Sequence, residues 1–190
     1  MKAPTYTGRG AVVLDFDIEN RPLNYAGEDF TFGEITAIAC MTIGKRRSLE
    51  SWVLGEVEME QMLAAFLARW NTADVVTGHN IIRHDLPWLN GMLLELGLGP
   101  LPAKMVHDTY SHLKRRRGVS ASQESLAGML GVPAPKIAMS QMAWRQANRL
   151  LPEGLVKTRA RCVGDVVQHA AMRERLLELD WLGPARMWRP

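Results

Sequence analysis

The sequence has few cysteines and no long apolar run, and each absence excludes a class of protein. Only two cysteines occur among 190 residues, Cys40 and Cys162, and neither belongs to a Cys-x-x-Cys pair or a Cys/His zinc spacing. No segment approaches the roughly 20 apolar residues that cross a bilayer, and residues 1–10 lack the apolar core of a signal peptide. We therefore expect a soluble, intracellular protein without membrane association, whose cysteines are reduced and structural.

The length leaves little room for more than one domain. At 190 residues and 47% hydrophobic content, the chain fits one compact domain over residues 1–190 that can bury a real core. No internal repeat or low-complexity segment is present. The protein therefore belongs to the ordinary globular class.

Net charge is also low, at +3, but the positive residues are grouped. They cluster at residues 45–47 and 114–117 and at Lys157, Arg159 and Arg161. Grouped cations beside an acidic site indicate a polyanionic substrate, although each run alone is also typical of a solvated loop. Arg115, Arg116 and Arg117 are thus candidates for binding a nucleic-acid backbone.

Apolar periodicity predicts a mixed arrangement of strands and helices. Strands are predicted at residues 11–17, 32–43, 49–54, 74–79 and 104–109, and helices at 56–71, 87–96, 123–130, 140–150 and 154–179. The first three strands form an antiparallel start, and residues 20–29 and 114–117 read as loops. Later alternation of strands and helices predicts an α/β fold in which a mixed sheet is flanked by helices.

The first predicted strand ends in acidic residues, Asp15, Asp17 and Glu19. Alternate side chains of a strand share a face, so Asp17 and Glu19 point the same way. Carboxylates held so close repel each other unless a cation lies between them, and such oxygen ligands suit Mg²⁺ or Mn²⁺. We interpret the pair as half of a metal site. Asp15 is either a third ligand or a buried support, and spacing alone does not decide.

Two further acids occupy special positions. Asp85 lies at the start of a predicted helix, where it either caps backbone N–H groups or binds a ligand. Asp165 lies on the apolar side of the last helix, where a lone carboxylate requires a partner or a cation.

These three acidic segments, in this order, resemble the three motifs of the DEDD family of 3′ to 5′ exonucleases, most closely the proofreading domain of family B DNA polymerases. Phe16-Asp17-Ile18-Glu19 resembles the first motif. Gly78-His79-Asn80-Ile81 with Asp85-Leu86-Pro87 resembles the second, and Cys162-Val163-Gly164-Asp165-Val166 the third. The similarity covers about residues 11–177 and leaves a C-terminal tail, residues 180–190.

The resemblance implies an RNase H-like fold and a free-standing exonuclease. It implies two Mg²⁺ or Mn²⁺ ions held by catalytic residues Asp17, Glu19, Asp85 and Asp165, with Asn80 orienting the substrate. The expected substrate is single-stranded DNA or a frayed 3′ end, with RNA as an open alternative, and the expected products are nucleoside 5′-monophosphates. Protein partners are not indicated.

The chain departs from the family pattern at one important position. Members with this third motif carry a tyrosine four residues before the last aspartate, or a histidine five before it, and here Arg161 and Ala160 occupy those places. Arginine cannot act as a base because its pKa stays above about 12. Arg161 is then a candidate for substrate binding or an ion pair, and His169, one turn beyond Asp165, is the candidate base. His84 also replaces the usual aromatic of the second motif.

Two other functions are open on the sequence alone. One is a catalytically weak or inactive nucleic-acid-binding member of the same fold, favoured by the missing tyrosine. The other is an interaction protein that docks through its tail, which contains Trp181 and Trp188, although tail tryptophans more often pack on their own domain.

Overall fold

The structure is a computed structural model that describes residues 10–22, 33–44, 47–114, 116, 118–119, 122–133 and 137–190. The strands are β1 (Val13–Pro22), β2 (Gly33–Ile43), β3 (Ser48–Val53), β4 (Val75–Gly78), β5 (Lys104–Asp108) and β6 (Arg186–Trp188). The helices are α1 (Met59–Thr72), α2 (Asp85–Glu95), α3 (Thr109–Leu113), α4 (Gln123–Met129), α5 (Gln141–Asn148) and α6 (Pro152–Glu178). In this part of the chain no helix is both long enough and apolar enough to span a membrane.

All six strands form one mixed sheet in the order β3-β2-β1-β4-β5-β6. Strands β1, β2 and β3 are antiparallel neighbours, β4 and β5 run parallel to β1, and β6 returns antiparallel to β5. The predicted antiparallel start and mixed sheet are confirmed. Because β1, β4 and β5 are parallel, their carboxyl ends lie at the same edge of the sheet.

Helices cover both faces of the sheet. On one face, α1 and α2 bury the larger core cluster, where the Phe16 and Phe66 rings lie 5.1 Å apart. On the other face, α6 packs against β2 and β3, with buried Cys162 and Val166 among the small residues Ala37 and Ala39. Small side chains in β2 allow the long helix to approach the sheet closely, which positions its polar residues near the end of β1.

One local prediction was wrong, and two elements were not predicted. β1 continues to Pro22, through residues predicted as loop, because Arg21 pairs with Glu34 across the ladder, with its Nε 2.7 Å from the Glu34 carboxylate. Helix α3 lies between the predicted strand and the basic run, and its N-cap Asp108 accepts a hydrogen bond from the Ser111 N–H. The tail contributes β6, for which the sequence predicted no strand.

Both cysteines are buried and unpaired with each other, as predicted. The tail is anchored to the domain through Trp188, whose ring lies 6.0 Å from that of Trp70 in the core. Trp181 is partly exposed and lies beneath Arg116 at 5.0 Å. The tail therefore packs on its own domain.

A buried polar contact joins the sheet, α6 and the tail. His107 on β5 accepts a hydrogen bond from the Arg173 Nε–H (3.2 Å) and donates from Nε2 to the Gly183 carbonyl (2.9 Å). Burial, followed by the positive charge of Arg173, lowers the pKa of His107 to about 3. The native state therefore holds this ring neutral.

This contact predicts a particular pH dependence of stability. In the unfolded chain His107 binds a proton below about pH 6.5. In the native state it does so only below about pH 3. His107 therefore destabilises the fold by up to about 1.4 kcal/mol per pH unit as pH falls through that window. His107→Gln keeps an acceptor and a donor but cannot titrate. Urea unfolding from pH 7 to 5 should show a shallower loss of stability for His107→Gln, and identical slopes would contradict this account.

Candidate metal site and nucleic-acid interface

Two acidic side chains of the site come from β1, just past the segment that pairs with β4. Asp17 and Glu19 lie on the α6 face of the sheet, opposite the core residues Phe16 and Ile18, and a β-bulge follows directly after Glu19. Bulges interrupt the regular ladder and change the direction of a strand. The strand thus presents both carboxylates just before it bends away.

Helix α6 supplies the third carboxylate. Oxygens of Asp17, Glu19 and Asp165 all lie within 4.8 Å of one another, and Glu19 and Asp165 are buried. The approach of α6 is fixed partly by Cys162, whose thiol donates to the Asp17 carbonyl at 3.3 Å. Three oxygen ligands at this spacing form a cluster that can hold a divalent cation.

Asp85 lies beside this cluster without being one of its three members. It is buried at the first residue of α2, and its Oδ1 accepts a hydrogen bond from the Ile18 N–H at 3.2 Å. Its other oxygen lies 3.4 Å from His84 Nδ1. Burial raises the pKa of Asp85, and the hydrogen bond from His84 opposes that rise. Asp85 thus ties α2 to β1 rather than capping its own helix.

Asp17 is under strong electrostatic stress in this cluster. Burial raises its pKa well above the usual value, and the charges of Asp85, Glu19 and Asp165 raise it further, in that order. Only Arg161 acts in the opposite direction. Within the described residues, no hydrogen bond or ion pair reaches the Asp17 carboxylate. Carboxylate oxygens gathered in this way can hold a divalent cation, and oxygen donors of this kind are accepted by Mg²⁺ and Mn²⁺.

Arg161 is already inside this site. Its Nε lies 2.7 Å from Glu19 Oε1 and one terminal nitrogen lies 3.9 Å from Asp165 Oδ2. The side chain is 16% exposed. Spacing along the helix predicted a contact with Asp165, but the shorter contact is to Glu19, a long-range partner that helix spacing could not reveal.

His169 lies behind the carboxylates and is fully engaged there. Its Nδ1 is 2.7 Å and 2.8 Å from the two oxygens of Asp15, and its Nε2 is 3.0 Å from Thr109 Oγ1. Both His169 and Asp15 are buried. With both ring nitrogens occupied, His169 is not positioned to take a proton from water. It acts instead with Asp15 to fasten α6 to the end of β1.

Asn80 is strained and has an unsatisfied group. Its φ is +69°, a conformation that costs an L-residue energy, and its buried Oδ1 has no hydrogen-bond partner among the described residues. Asp108 holds the loop, accepting from the N–H groups of Asn80 at 3.0 Å and Ile82 at 3.1 Å. Sequence reasoning missed Asp108, which carried no motif. Asn80 remains the candidate for contacting a substrate.

The structure describes only some of the predicted basic residues. Arg115 and Arg117 lie outside the described residues, as do Lys45 and Arg46. Arg116 lines a cleft of about 560 Å³ together with Lys114, His112 and Arg186. Arg186, on β6, was not predicted as a binding residue because residues 180–190 were interpreted as a tail.

The cleft concentrates positive charge. Lys114, Arg116 and Arg186 are exposed, and none of them pairs with a carboxylate of the described chain. Among the described residues that line the cleft the one acid is Asp108, and its oxygens already accept hydrogen bonds from backbone N–H groups. Burial lowers the pKa of His112, and the charges of Arg186 and Arg116 lower it further. The cleft therefore suits an anion.

The stress on Asp17 predicts a stabilising substitution. Its raised pKa means that the native state favours the protonated form, so the ionised carboxylate destabilises the metal-free fold as pH rises above about 3.8. Asp17→Asn resembles the protonated form. In EDTA at pH 7.5, Asp17→Asn should melt at a higher temperature than wild type, and the difference should shrink toward pH 4. A variant that melts lower at pH 7.5 would show that the cluster is not under this repulsion.

Comparison with known proteins supports the fold. No protein-family profile matches the sequence, and no curated protein matches it. The structure is similar to that of the family B DNA polymerase from the hyperthermophilic archaeon Pyrobaculum calidifontis, with a TM-score of 0.69 and 18% identity. The match covers 88% of this chain and 24% of the polymerase chain. With its six-stranded mixed sheet flanked by helices, the chain has an RNase H-like fold.

Proposed function

We propose that this chain is a divalent-metal-dependent 3′ to 5′ exonuclease that hydrolyses single-stranded DNA to nucleoside 5′-monophosphates. The observation that carries the proposal is the convergence of Asp17, Glu19 and Asp165 within 4.8 Å, with Asp85 adjacent. They lie at the edge of an RNase H-like sheet where β4 and β5 end and the parallel pairing of β1 stops. The structural similarity to part of a DNA polymerase favours DNA as the substrate.

The acidic residues would hold Mg²⁺ or Mn²⁺, and the resemblance of the three motifs implies two ions. When bound, such ions acidify a water molecule and neutralise charge on a phosphoryl group. The other residues of the chain hold the acidic side chains in position. Asp15 and His169 fix α6 against β1, and the bond from Ile18 holds Asp85 beside Asp17. Asn80, with its unsatisfied Oδ1, would orient the substrate.

The basic cleft would bind the substrate backbone. Asp17 lies just past the part of β1 that pairs with β4, and Asp108 ends β5, two strands away at the same edge of the sheet. At about 4.8 Å per strand, the cleft begins roughly 10 Å from the carboxylates across the sheet. A single strand whose 3′ end lies at the carboxylates can therefore place an upstream phosphate among Lys114, Arg116 and Arg186.

A second candidate function is nucleic-acid binding with weak or no hydrolysis. It is favoured by Arg161, which stands where the family carries a tyrosine, and by His169, whose ring nitrogens are both engaged. General-base help is typically worth about 10² to 10⁴-fold, so an enzyme without it should be slow at neutral pH.

Hydrolysis of a 5′-labelled single-stranded oligonucleotide separates the two functions. Incubation with Mg²⁺ or Mn²⁺ should give a ladder that shortens from the 3′ end, and EDTA should abolish it. Asp165→Asn should lose more than about 100-fold, because even residues behind the ligands cost 10- to 100-fold in such sites. A matched ribo-oligonucleotide tests RNA.

The matched control is Glu174→Gln, which removes an exposed carboxylate from the same helix, 63% exposed and paired with Arg47. It should retain full activity. Hydrolysis that persists in EDTA, or in Asp165→Asn, would contradict the proposed enzyme. Binding without any cleavage in Mn²⁺ would favour the second candidate.

The cleft makes a separate prediction about binding. Lys114→Gln and Arg186→Gln should each weaken oligonucleotide binding about equally for all sequences, because phosphate contacts carry no base information. Each should lower the slope of log affinity against log salt by about 0.7, the value for one phosphate contact with a single strand. Fluorescence anisotropy in EDTA measures both quantities. Arg175→Gln, which removes an exposed arginine paired with Glu178, is the control and should leave the slope unchanged.

A further inference from the structure

Arg161 is anchored from both sides of its guanidinium. Toward the acidic cluster it meets Glu19 at 2.7 Å and Asp165 at 3.9 Å. On its other side, one terminal nitrogen donates to the Ile137 carbonyl at 3.2 Å and the group lies over the Trp144 ring at 5.5 Å. A side chain held by a carboxylate, a carbonyl and an aromatic face is a fixed part of the site and does not move in and out of it.

The fixed guanidinium divides the acidic cluster into two unequal halves. One oxygen of Glu19 already forms an ion pair with the Arg161 guanidinium. The Asp17 carboxylate, by contrast, has no hydrogen-bonding or ionic partner among the described residues. A divalent ion bound through Glu19 would lie beside the guanidinium and be repelled by it. The charge of Arg161 also acts on Asp17, but among the described residues none of its nitrogens pairs with the Asp17 carboxylate, so an ion bound there, with Asp85 nearby, would meet weaker repulsion.

We propose that Arg161 is a built-in cation that replaces one of the two divalent ions, so that this chain binds a single Mg²⁺ or Mn²⁺ at Asp17. The inference rests on the proposed function, which supplies the need for a cation. It differs from the two-ion site that the motifs imply. It also gives Arg161 a positioning role, because its charge holds Glu19 and α6 in place when no ion does so.

The number of Mn²⁺ ions per chain tests this directly. Titration followed by electron paramagnetic resonance of free Mn²⁺, with calorimetry for affinity, should give one ion for wild type. Arg161→Gln should bind two ions. The affinity for the second ion should be about 10- to 150-fold higher than the affinity of wild type for any second ion. This range is equivalent to the free energy of one charge-assisted hydrogen bond. Arg161→Lys keeps the charge and should bind one.

Arg159→Gln is the matched control. Arg159 lies two residues away on the same helix and pairs with Glu56 and Ser51 away from the cluster, so its loss should leave the count at one. Circular dichroism establishes that each variant is folded. If Arg161→Gln does not fold, the number of Mn²⁺ ions bound by wild type still tests the inference.

Two ions in wild type, or one in folded Arg161→Gln, would overturn the inference while leaving the proposed function intact. If none of the folded proteins binds Mn²⁺, the proposed function fails, and the inference fails with it. Thermal melting adds an independent readout. Arg161→Gln should melt lower than wild type in EDTA and gain more from saturating Mn²⁺, because it loses an internal counter-ion and gains a second ligand.

Discussion

Mutual repulsion among the carboxylates that meet beside β1 is the constraint on which the rest of the site depends. Asp17 is surrounded by the charges of Asp85, Glu19 and Asp165, and burial makes each charge more costly. The surrounding fold has to hold these four acids together against their own electrostatics. Protonation of Asp17 or a bound divalent cation would relieve the repulsion.

The fold meets this demand by fastening α6 to the sheet with polar contacts behind the acids. Asp15 binds His169, and His169 reaches Thr109 at the end of β5. Further along the helix, Arg173 contacts His107 on the same strand. Small residues of β2, Ala37 and Ala39, let the helix lie close enough for these contacts. Asp165 is thus held near the cluster by contacts further along α6, in addition to its ion pair with Arg161 at 3.9 Å.

Positive charge is distributed in two distinct ways. Arg161 lies inside the acidic cluster, where it opposes the rise in the pKa of Asp17 and pairs with Glu19. Lys114, Arg116 and Arg186 instead lie around a cleft at the same edge of the sheet, and no carboxylate of the described residues pairs with them. The first arrangement balances charge within the protein, and the second leaves charge for an anionic ligand. A net charge of only +3 conceals both.

Local periodicity determined much of the architecture from the sequence alone. Alternation placed Asp17 and Glu19 on one face, and helical spacing put Asp165 on the buried side of α6, because both patterns depend only on neighbours along the chain. Tertiary structure decided what depends on distant partners. Arg161 binds Glu19, 142 residues away, His169 binds Asp15, 154 away, and β6 exists because the tail finds the edge of β5. Such choices are made by packing and burial, which no local pattern encodes. Hence the sequence indicated acids that the structure brings close together, and only the structure showed which charges lie beside them.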